Sequence, residues 1–160
     1  MDAIVLLKND HKTVEKLFKQ FEKAGESAEA TKGRLVKQII EELSVHAFIE
    51  EQIFYPEARL RVPETEDHVL ESLEEHHIVK WVLAELAGMD PSEERFDAKV
   101  TVLAENVRHH VTEEEQEWFP EVRKAMGRKE LGEIGARMEQ AKKTAPREPR
   151  PLASDDPLAG

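Results

Sequence analysis

The chain of 160 residues contains no cysteine, which excludes disulfide bonds, thiolate metal sites, iron–sulfur clusters and cysteine nucleophiles. Positive charge is scarce as well: 23 Lys and Arg residues face 34 Asp and Glu residues, a formal net charge of -11. Such a surface repels phosphate backbones and anionic lipid, so neither nucleic acid nor a membrane is an expected partner. Long apolar runs are absent too, and we therefore expect a cytoplasmic protein of a single domain.

Strand patterns are nearly absent, whereas apolar residues recur along the chain at steps of three and four, the spacing of a helix. These stripes predict helices over roughly residues 2–24, from Val36 to Ile53, from Val69 to Leu83 and from Phe96 to Trp118, and a shorter one with Leu131, Ile134 and Met138. Because the proline ring does not fit inside a regular helix, we expect the second and fourth helices to end at Pro56 and Pro120.

Four long helices with short connections predict an all-α fold: an up-down antiparallel four-helix bundle with a short fifth C-terminal helix and a disordered tail. An all-α domain with steeper helix crossings is the alternative. The predicted parts are the bundle over 1–126, the accessory helix over 127–143 and a proline-rich tail over 144–160. We expect the tail to be disordered because it has few large apolar side chains that could be buried in a core.

An imperfect internal duplication relates the two halves of the predicted bundle. HAFIEEQIFYPEAR at 46–59 aligns without a gap with HVTEEEQEWFPEVR at 110–123, and DHKTVEKLF at 10–18 aligns with EHHIVKWVL at 75–83. Each half thus has a histidine on its first helix and a His-x-x-x-Glu motif on its second. Two such hairpins facing each other would place equivalent sets of side chains around a pseudo-two-fold axis.

The duplicated positions hold six candidate metal ligands, namely His11, His46, Glu50, His76, His110 and Glu114. Residues four apart share one face of a helix, so each His-x-x-x-Glu pair can bind a common centre. All six lie within the apolar stripes, where an ionised glutamate is unfavourable unless it is paired or binds metal. Imidazole and carboxylate without thiolate suit iron, manganese or zinc. Two carboxylates that can bridge and two sets of histidines describe a dinuclear site.

Simpler interpretations apply to each residue alone. A lone histidine on an apolar face is usually a core residue, and His-x-x-x-Glu pairs occur by chance on solvated faces. Four histidines at duplicated positions make chance a poor explanation. Surface positions are favoured for His77 and His109, and His68 lies too far along its helix for the same centre. The neighbouring acids predict a solvated face, with Glu51 or Glu115 as candidate supports of the ligands.

Tyr55 breaks the duplication, because its counterpart in the second half is Phe119. One interpretation is a core tyrosine with a local hydrogen bond. The other is a ligand, or a hydrogen-bond donor, to an oxidised iron. Ideal helical geometry turns Tyr55 away from the face of Glu50, but a bend ahead of Pro56 would turn it inward.

The motifs NDHKTVEKLF, HAFIEEQIFYP, EEHHIVK and HHVTEEEQEWFP together resemble the hemerythrin-like family, the domain with His-His-Glu cation-binding motifs, from about Ile4 to Met126. The resemblance implies an up-down bundle around a non-haem di-iron centre with an oxo or hydroxo bridge and bridging carboxylates. It assigns two iron ions per chain to the six candidate ligands. Oxygen-carrying members have a further histidine one turn before the third-helix ligand, where this sequence has Ser72. The missing ligand implies an open position or a substitute such as Tyr55.

An incomplete ligand set favours reactive chemistry over reversible oxygen carriage. The leading hypothesis is a di-iron protein that binds and reacts with hydrogen peroxide, dioxygen or nitric oxide, with catalase-like disproportionation as one form. The alternative is a sensor or binding module in which iron or oxygen occupancy is reported to another protein without turnover. A metal-free helical scaffold is the third interpretation. The expected partner is a small-molecule oxidant, and the sequence identifies no protein partner.

Overall fold

Helices make up nearly all of residues 1–25 and 28–149, the part of the chain that the computed structural model describes. The α-helices are α1 (Ala3–Lys23), α2 (Glu29–Ile49), α3 (Tyr55–Arg61), α4 (Glu66–Ala87), α5 (Phe96–Thr112), α6 (Phe119–Ala125) and α7 (Arg128–Lys142). A π-helical segment over Glu50–Phe54 joins α2 to α3, and a second one over Glu113–Trp118 joins α5 to α6. A 3₁₀ turn over Pro63–Thr65 leads into α4.

The bundle consists of α1, the continuous α2–α3 helix, α4 and the continuous α5–α6 helix. α1 packs against α2 and α5, and α4 packs against α2, α3 and α5, so each helix lies beside two others around one interior. α1 begins at a capping residue, because the Asp2 carboxylate accepts a hydrogen bond of 2.8 Å from the backbone N–H of Val5. The predicted all-α bundle with a fifth helix is confirmed.

The prediction that two helices end at proline is wrong. Pro56 and Pro120 lie in the first turns of α3 and α6, and these helices continue to Arg61 and Ala125. Each proline directly follows the five-residue step of a π segment, where the regular pattern of helical hydrogen bonds is already interrupted, so its missing N–H is tolerated. The π segment that precedes each proline also widens the turn against which the ring would otherwise clash.

Two hydrophobic clusters fill the interior, with a polar layer between them. One contains Leu7, Ile49, Val69 and Trp118 together with residues of α7, and the other contains Val14, Leu43, Leu83 and Val107. Along the bundle helices, the four histidines and Glu114 fall between residues of the two clusters, and Glu50 directly follows Ile49 of the first cluster. The fold therefore places them in one layer, closed by hydrocarbon above and below.

The accessory helix α7 packs against α1, α2 and the first π segment. Its Leu131, Ile134 and Met138 are buried in the first cluster. Of the predicted tail, residues 144–149 follow α7 with Ala145 buried, and 150–160 lie outside the described residues. Among the described residues, none of the helices is long and apolar enough to span a bilayer.

Candidate metal centre

The six candidate ligands are buried together and form two groups of three. His11, His46 and Glu114 make one group, and Glu50, His76 and His110 make the other; in each, the candidate ligand atoms lie within 4.8 Å of one another. The imidazole rings are paired alike, with centroids 5.0 Å apart for His11 and His46 and 4.9 Å apart for His76 and His110. The duplicated sequence is thus folded into two matching sets.

Each carboxylate lies between the two sets. Glu50 Oε1 is 3.0 Å from His46 Nε2 and 3.1 Å from His76 Nε2. Glu114 places Oε1 3.2 Å from His11 Nε2 and Oε2 3.3 Å from His110 Nε2. Every short contact here is made by the Nε2 atom of a histidine, so all four rings direct the same nitrogen at the carboxylates. This is an arrangement in which both carboxylates can bridge two cations.

Several of these atoms face one another without forming hydrogen bonds. Among the described residues, the buried atoms without a hydrogen-bond partner include His11 Nε2, His46 Nε2, both carboxylate oxygens of Glu50 and Glu114 Oε1. Buried polar atoms without partners are rare in proteins because their desolvation is not repaid. A cation between the nitrogens and oxygens would satisfy them, so the donor set fits metal ions of the imidazole–carboxylate class.

The opposite nitrogen of each histidine is held by a further acid. Nδ1 of His11 lies 2.6 Å from Glu115, Nδ1 of His46 2.9 Å from Asp10, Nδ1 of His76 2.8 Å from Glu51 and Nδ1 of His110 2.6 Å from Glu75. A carboxylate that accepts the Nδ1 proton fixes the tautomer and leaves Nε2 free for a metal. We call these four acids the outer carboxylates.

Sequence reasoning named Glu51 and Glu115 as supports but missed Asp10 and Glu75. The signal was present: an acid directly precedes the first-helix histidine in both halves, as Asp10–His11 and Glu75–His76. The acid does not bind the histidine that follows it in the sequence. Asp10 instead binds His46 on another helix, and Glu75 binds His110 on another helix. Only the packing of the helices reveals these partners.

Burial and charge act in opposite directions on the pKa values in this layer. Burial lowers the pKa of His46, but the charge of Glu50 and the hydrogen bond to Asp10 outweigh it and raise the pKa to about 10. The same balance raises the pKa of His11, His76 and His110. These shifts favour the protonated imidazoles when no metal is bound, so protons compete with a metal ion for the Nε2 atoms.

The π segments determine which aromatic side chain reaches the centre. In a regular helix, Tyr55 would be rotated roughly 140° from Glu50. Here the backbone N–H of Tyr55 bonds to the carbonyl of Glu50, a step of five residues that brings the two side chains onto one face. The second π segment does the same for Phe119 and Glu114. The bend expected ahead of Pro56 is therefore a widened helical turn.

The Tyr55 hydroxyl lies inside the second group. It donates a hydrogen bond of 2.8 Å to Glu114 Oε2 and lies 3.2 Å from His76 Nε2 and 3.4 Å from His110 Nε2. Burial and the charges of Glu114 and Glu50 hold the pKa of Tyr55 well above its usual value. At the equivalent position of the first group, the Phe119 ring stacks on His11 with centroids 6.1 Å apart. A phenolic oxygen therefore distinguishes two otherwise matching sets.

The remaining histidines lie outside these two groups. His77 points to the surface, 3.7 Å from Glu74, and the His68 ring stacks on Trp118. His109 is exposed and lies 3.0 Å from Glu113 and 3.8 Å from Glu75. In the pairs His76–His77 and His109–His110, the buried members are His76 and His110, as the spacing of the apolar residues predicted. Their role as ligands stays a prediction.

A cavity of about 30 Å³ adjoins the centre. All four buried histidines line one side of it, and the rest of its wall is mainly aliphatic, with Val14, Leu43, Val79, Leu83, Val107 and Val111. Glu50, Glu114 and Tyr55 are not among the lining residues. The cavity therefore opens toward the second hydrophobic cluster, away from the phenolic oxygen.

Comparisons with known proteins agree with this arrangement. A sequence model of the hemerythrin HHE cation binding domain matches residues 2–122. An uncharacterized hemerythrin-like protein of Schizosaccharomyces pombe is 27% identical over 149 residues, which cover 92% of this chain and 72% of that protein. A DNA nickase of Nostoc sp. is 26% identical over 137 residues, which cover 86% of this chain but only 38% of the nickase. The crystal structure of a hemerythrin HHE cation binding domain-containing protein from Mycobacterium kansasii has a TM-score of 0.74 at 24% identity, covering 90% of this chain and 89% of that one.

Proposed function

Because the chain belongs to the hemerythrin HHE cation-binding domain family, we propose that its bundle holds two iron ions and reacts with a small oxidant. The oxidant classes are hydrogen peroxide, dioxygen and nitric oxide. The observation that carries the proposal is the pair of buried three-residue groups, whose nitrogens and oxygens converge without hydrogen-bonding one another. Family membership supports cation binding, and the number of ions and their reactivity are the proposed part.

Each residue has a defined task in this proposal. His11 and His46 would hold one ion and His76 and His110 the other, with Glu50 and Glu114 as the carboxylate ligands between the two pairs. The outer carboxylates keep the Nδ1 protons in place, so that the Nε2 lone pairs stay available. Tyr55 would offer a phenolic oxygen beside His76 and His110, where Ser72 supplies no imidazole, and would so make the two halves of the centre inequivalent.

The cavity restricts what can reach the centre. A cavity of about 30 Å³ has room for a molecule of a few atoms, such as dioxygen or hydrogen peroxide. Four imidazoles line this space together with aliphatic side chains, so a small molecule bound there would lie beside the candidate ligands. This supports a small reactant over an organic substrate.

Disproportionation of hydrogen peroxide is the reaction class we propose first. A pair of iron ions supplies two-electron redox chemistry. One peroxide loses two electrons and two protons to become dioxygen, and a second accepts them to become two waters, so no other reductant is consumed. The protein's part is to bind peroxide in the cavity beside the four histidines and to exclude competing solvent.

We do not propose the nickase activity of the Nostoc relative for this chain. The chain spans well under half of that protein, and its net charge of -11 opposes the phosphate contacts on which DNA binding depends. The proposed partner is a small-molecule oxidant, and a cytoplasmic location stays a prediction from the sequence.

Peroxide turnover by the iron-loaded protein tests the proposal. After anaerobic loading with Fe(II), we expect one dioxygen released for every two peroxides consumed. The matched variants are His76→Gln and His77→Gln, since these adjacent histidines differ in whether they enter the buried layer. We expect His76→Gln to lose iron and turnover and His77→Gln to keep both. Full iron occupancy without turnover of peroxide, dioxygen or nitric oxide would overturn the enzymatic version and favour the sensor alternative.

A further inference from the structure

We propose that Lys142, in the last turn of α7, is a positioning residue of the metal centre, so that α7 belongs to the site rather than merely capping the bundle. The inference rests on the proposed metal binding. Its basis is a chain of contacts that leads from α7 through Asp10 to His46. α7 lies beyond residues 2–122, which the family model matches.

Asp10 is the link between α7 and the centre. Its Oδ2 accepts a hydrogen bond of 2.9 Å from His46 Nδ1, and its Oδ1 accepts one of 2.5 Å from Lys142 Nζ. Asp10 is buried, and each of its carboxylate oxygens has a protein partner, His46 for Oδ2 and Lys142 for Oδ1. The ammonium group keeps the carboxylate ionised and fixes its orientation, and the carboxylate in turn fixes the His46 ring.

The four outer carboxylates divide into two kinds by their exposure. The side chains of Asp10 and Glu51 are 9% and 8% exposed, and each is bound by a lysine, Lys142 and Lys80 respectively. The side chains of Glu75 and Glu115 are 26% and 31% exposed, so water can solvate their charge. A buried carboxylate without a cation is strongly unfavourable. Lysine is thus present at the two acids where solvent cannot compensate the charge.

The two lysines have different origins. Lys80 lies on α4, within the bundle, whereas Lys142 reaches Asp10 only because α7 docks beside α1 and α2. The docking is close: a Cβ atom at Gly135 would lie 2.0 Å from the Met1 carbonyl oxygen. Leu131, Ile134 and Met138 then bury the inner face of α7 against α1. The position of Lys142 is therefore set by the packing of the whole helix.

Loss of the Lys142 charge has two expected consequences. Asp10 would keep only one partner, so the His46 ring would be held less firmly and its metal ion would dissociate faster. Removal of a positive charge next to a ligand pair also stabilises the more oxidised iron, which lowers the reduction potential. The first effect acts through Asp10 and the second through the electric field of the charge, and neither needs a contact between Lys142 and metal.

The test compares four variants of the full-length, iron-loaded protein. Lys142→Met removes the charge, and Lys142→Arg retains it. Lys143→Met removes the neighbouring exposed lysine, whose contact is to Gln140, and Arg137→Gln removes an exposed ion pair between α7 and Glu57. The readouts are the rate of Fe(II) loss to a chelator, the reduction potential and the thermal unfolding of the metal-free protein.

We expect iron loss from Lys142→Met to be about ten-fold faster, the usual scale for an outer partner of a ligand, with a lower potential. Lys142→Arg should restore both values, and Lys143→Met and Arg137→Gln should match the wild type. Equal rates and potentials for Lys142→Met and Lys143→Met would overturn the inference, and so would the same change in Arg137→Gln, which would point to loosened helix docking. A wild-type protein that binds no iron would instead refute the proposed function.

Discussion

At the residue scale, the six candidate ligands could be predicted because each occupies a position that the internal duplication repeats. His11 and His76, and each His-x-x-x-Glu pair, occupy apolar stripes at duplicated positions, and the structure buries all six side chains in one layer. The roles of Asp10 and Glu75 could not be predicted, because each binds a histidine on another helix. Their orientation depends on how the helices pack, which local spacing does not specify.

Tyr55 gives the prediction that belongs to this scale. In the iron-loaded protein, a phenolate ligand produces a charge-transfer band in the visible spectrum, so we expect Tyr55→Phe to lose that band. The variant also leaves Glu114 without its hydrogen bond of 2.8 Å, an unfavourable change of about 1–3 kcal/mol in the metal-free protein. The measurements are an absorption spectrum and urea unfolding.

The iron content of Tyr55→Phe serves as the control for the spectrum. Unchanged iron with an unchanged spectrum would show that the hydroxyl is not a ligand. The mirrored position Phe119, which stacks on His11, offers a matched comparison, because Phe119→Leu alters the packing of the other set without touching the phenol.

At the scale of elements, the sequence predicted where helices occur but not how two of them continue. Apolar spacing located α1, α2, α4 and α5, because burial of one face requires it. Proline was a misleading signal: the widened turns over Glu50–Phe54 and Glu113–Trp118 let the chain pass Pro56 and Pro120 as helix. The π geometry depends on the backbone bonds around the buried glutamates, and no residue spacing in the sequence indicates it.

The docking of α7 gives the prediction for an element. In Gly135→Ala the new methyl group would meet the backbone of Met1–Ala3, so we expect a loss of about 1–3 kcal/mol in the free energy of unfolding, as for overpacking. Gly132→Ala is the matched control, since a Cβ there has no neighbour within 4 Å and alanine favours a helix by about 1 kcal/mol. Urea unfolding of both variants measures the difference. Equal stabilities would mean that α7 does not dock closely on α1.

At the scale of the whole molecule, the duplication explains why the centre is symmetric and where the symmetry stops. Two related hairpins supply matching imidazole pairs and one buried carboxylate each. The symmetry breaks at two places. Tyr55 stands opposite Phe119, and α7, which has no counterpart within residues 1–25 and 28–149, brings Lys142 to the side of His46. The bundle could therefore be predicted from the repeated pattern, whereas the inequivalence of the two sets required the structure.

The central claim is that six buried side chains bind two metal ions between the halves of the bundle. Its most direct test is elemental analysis of protein loaded with Fe(II) and then freed of unbound metal, compared with the double variant Glu50→Gln, Glu114→Gln. We expect two irons per wild-type chain and a large loss in the variant, because the amide groups are weaker ligands that carry no charge. Wild-type protein without iron, or equal iron in both proteins, would contradict it.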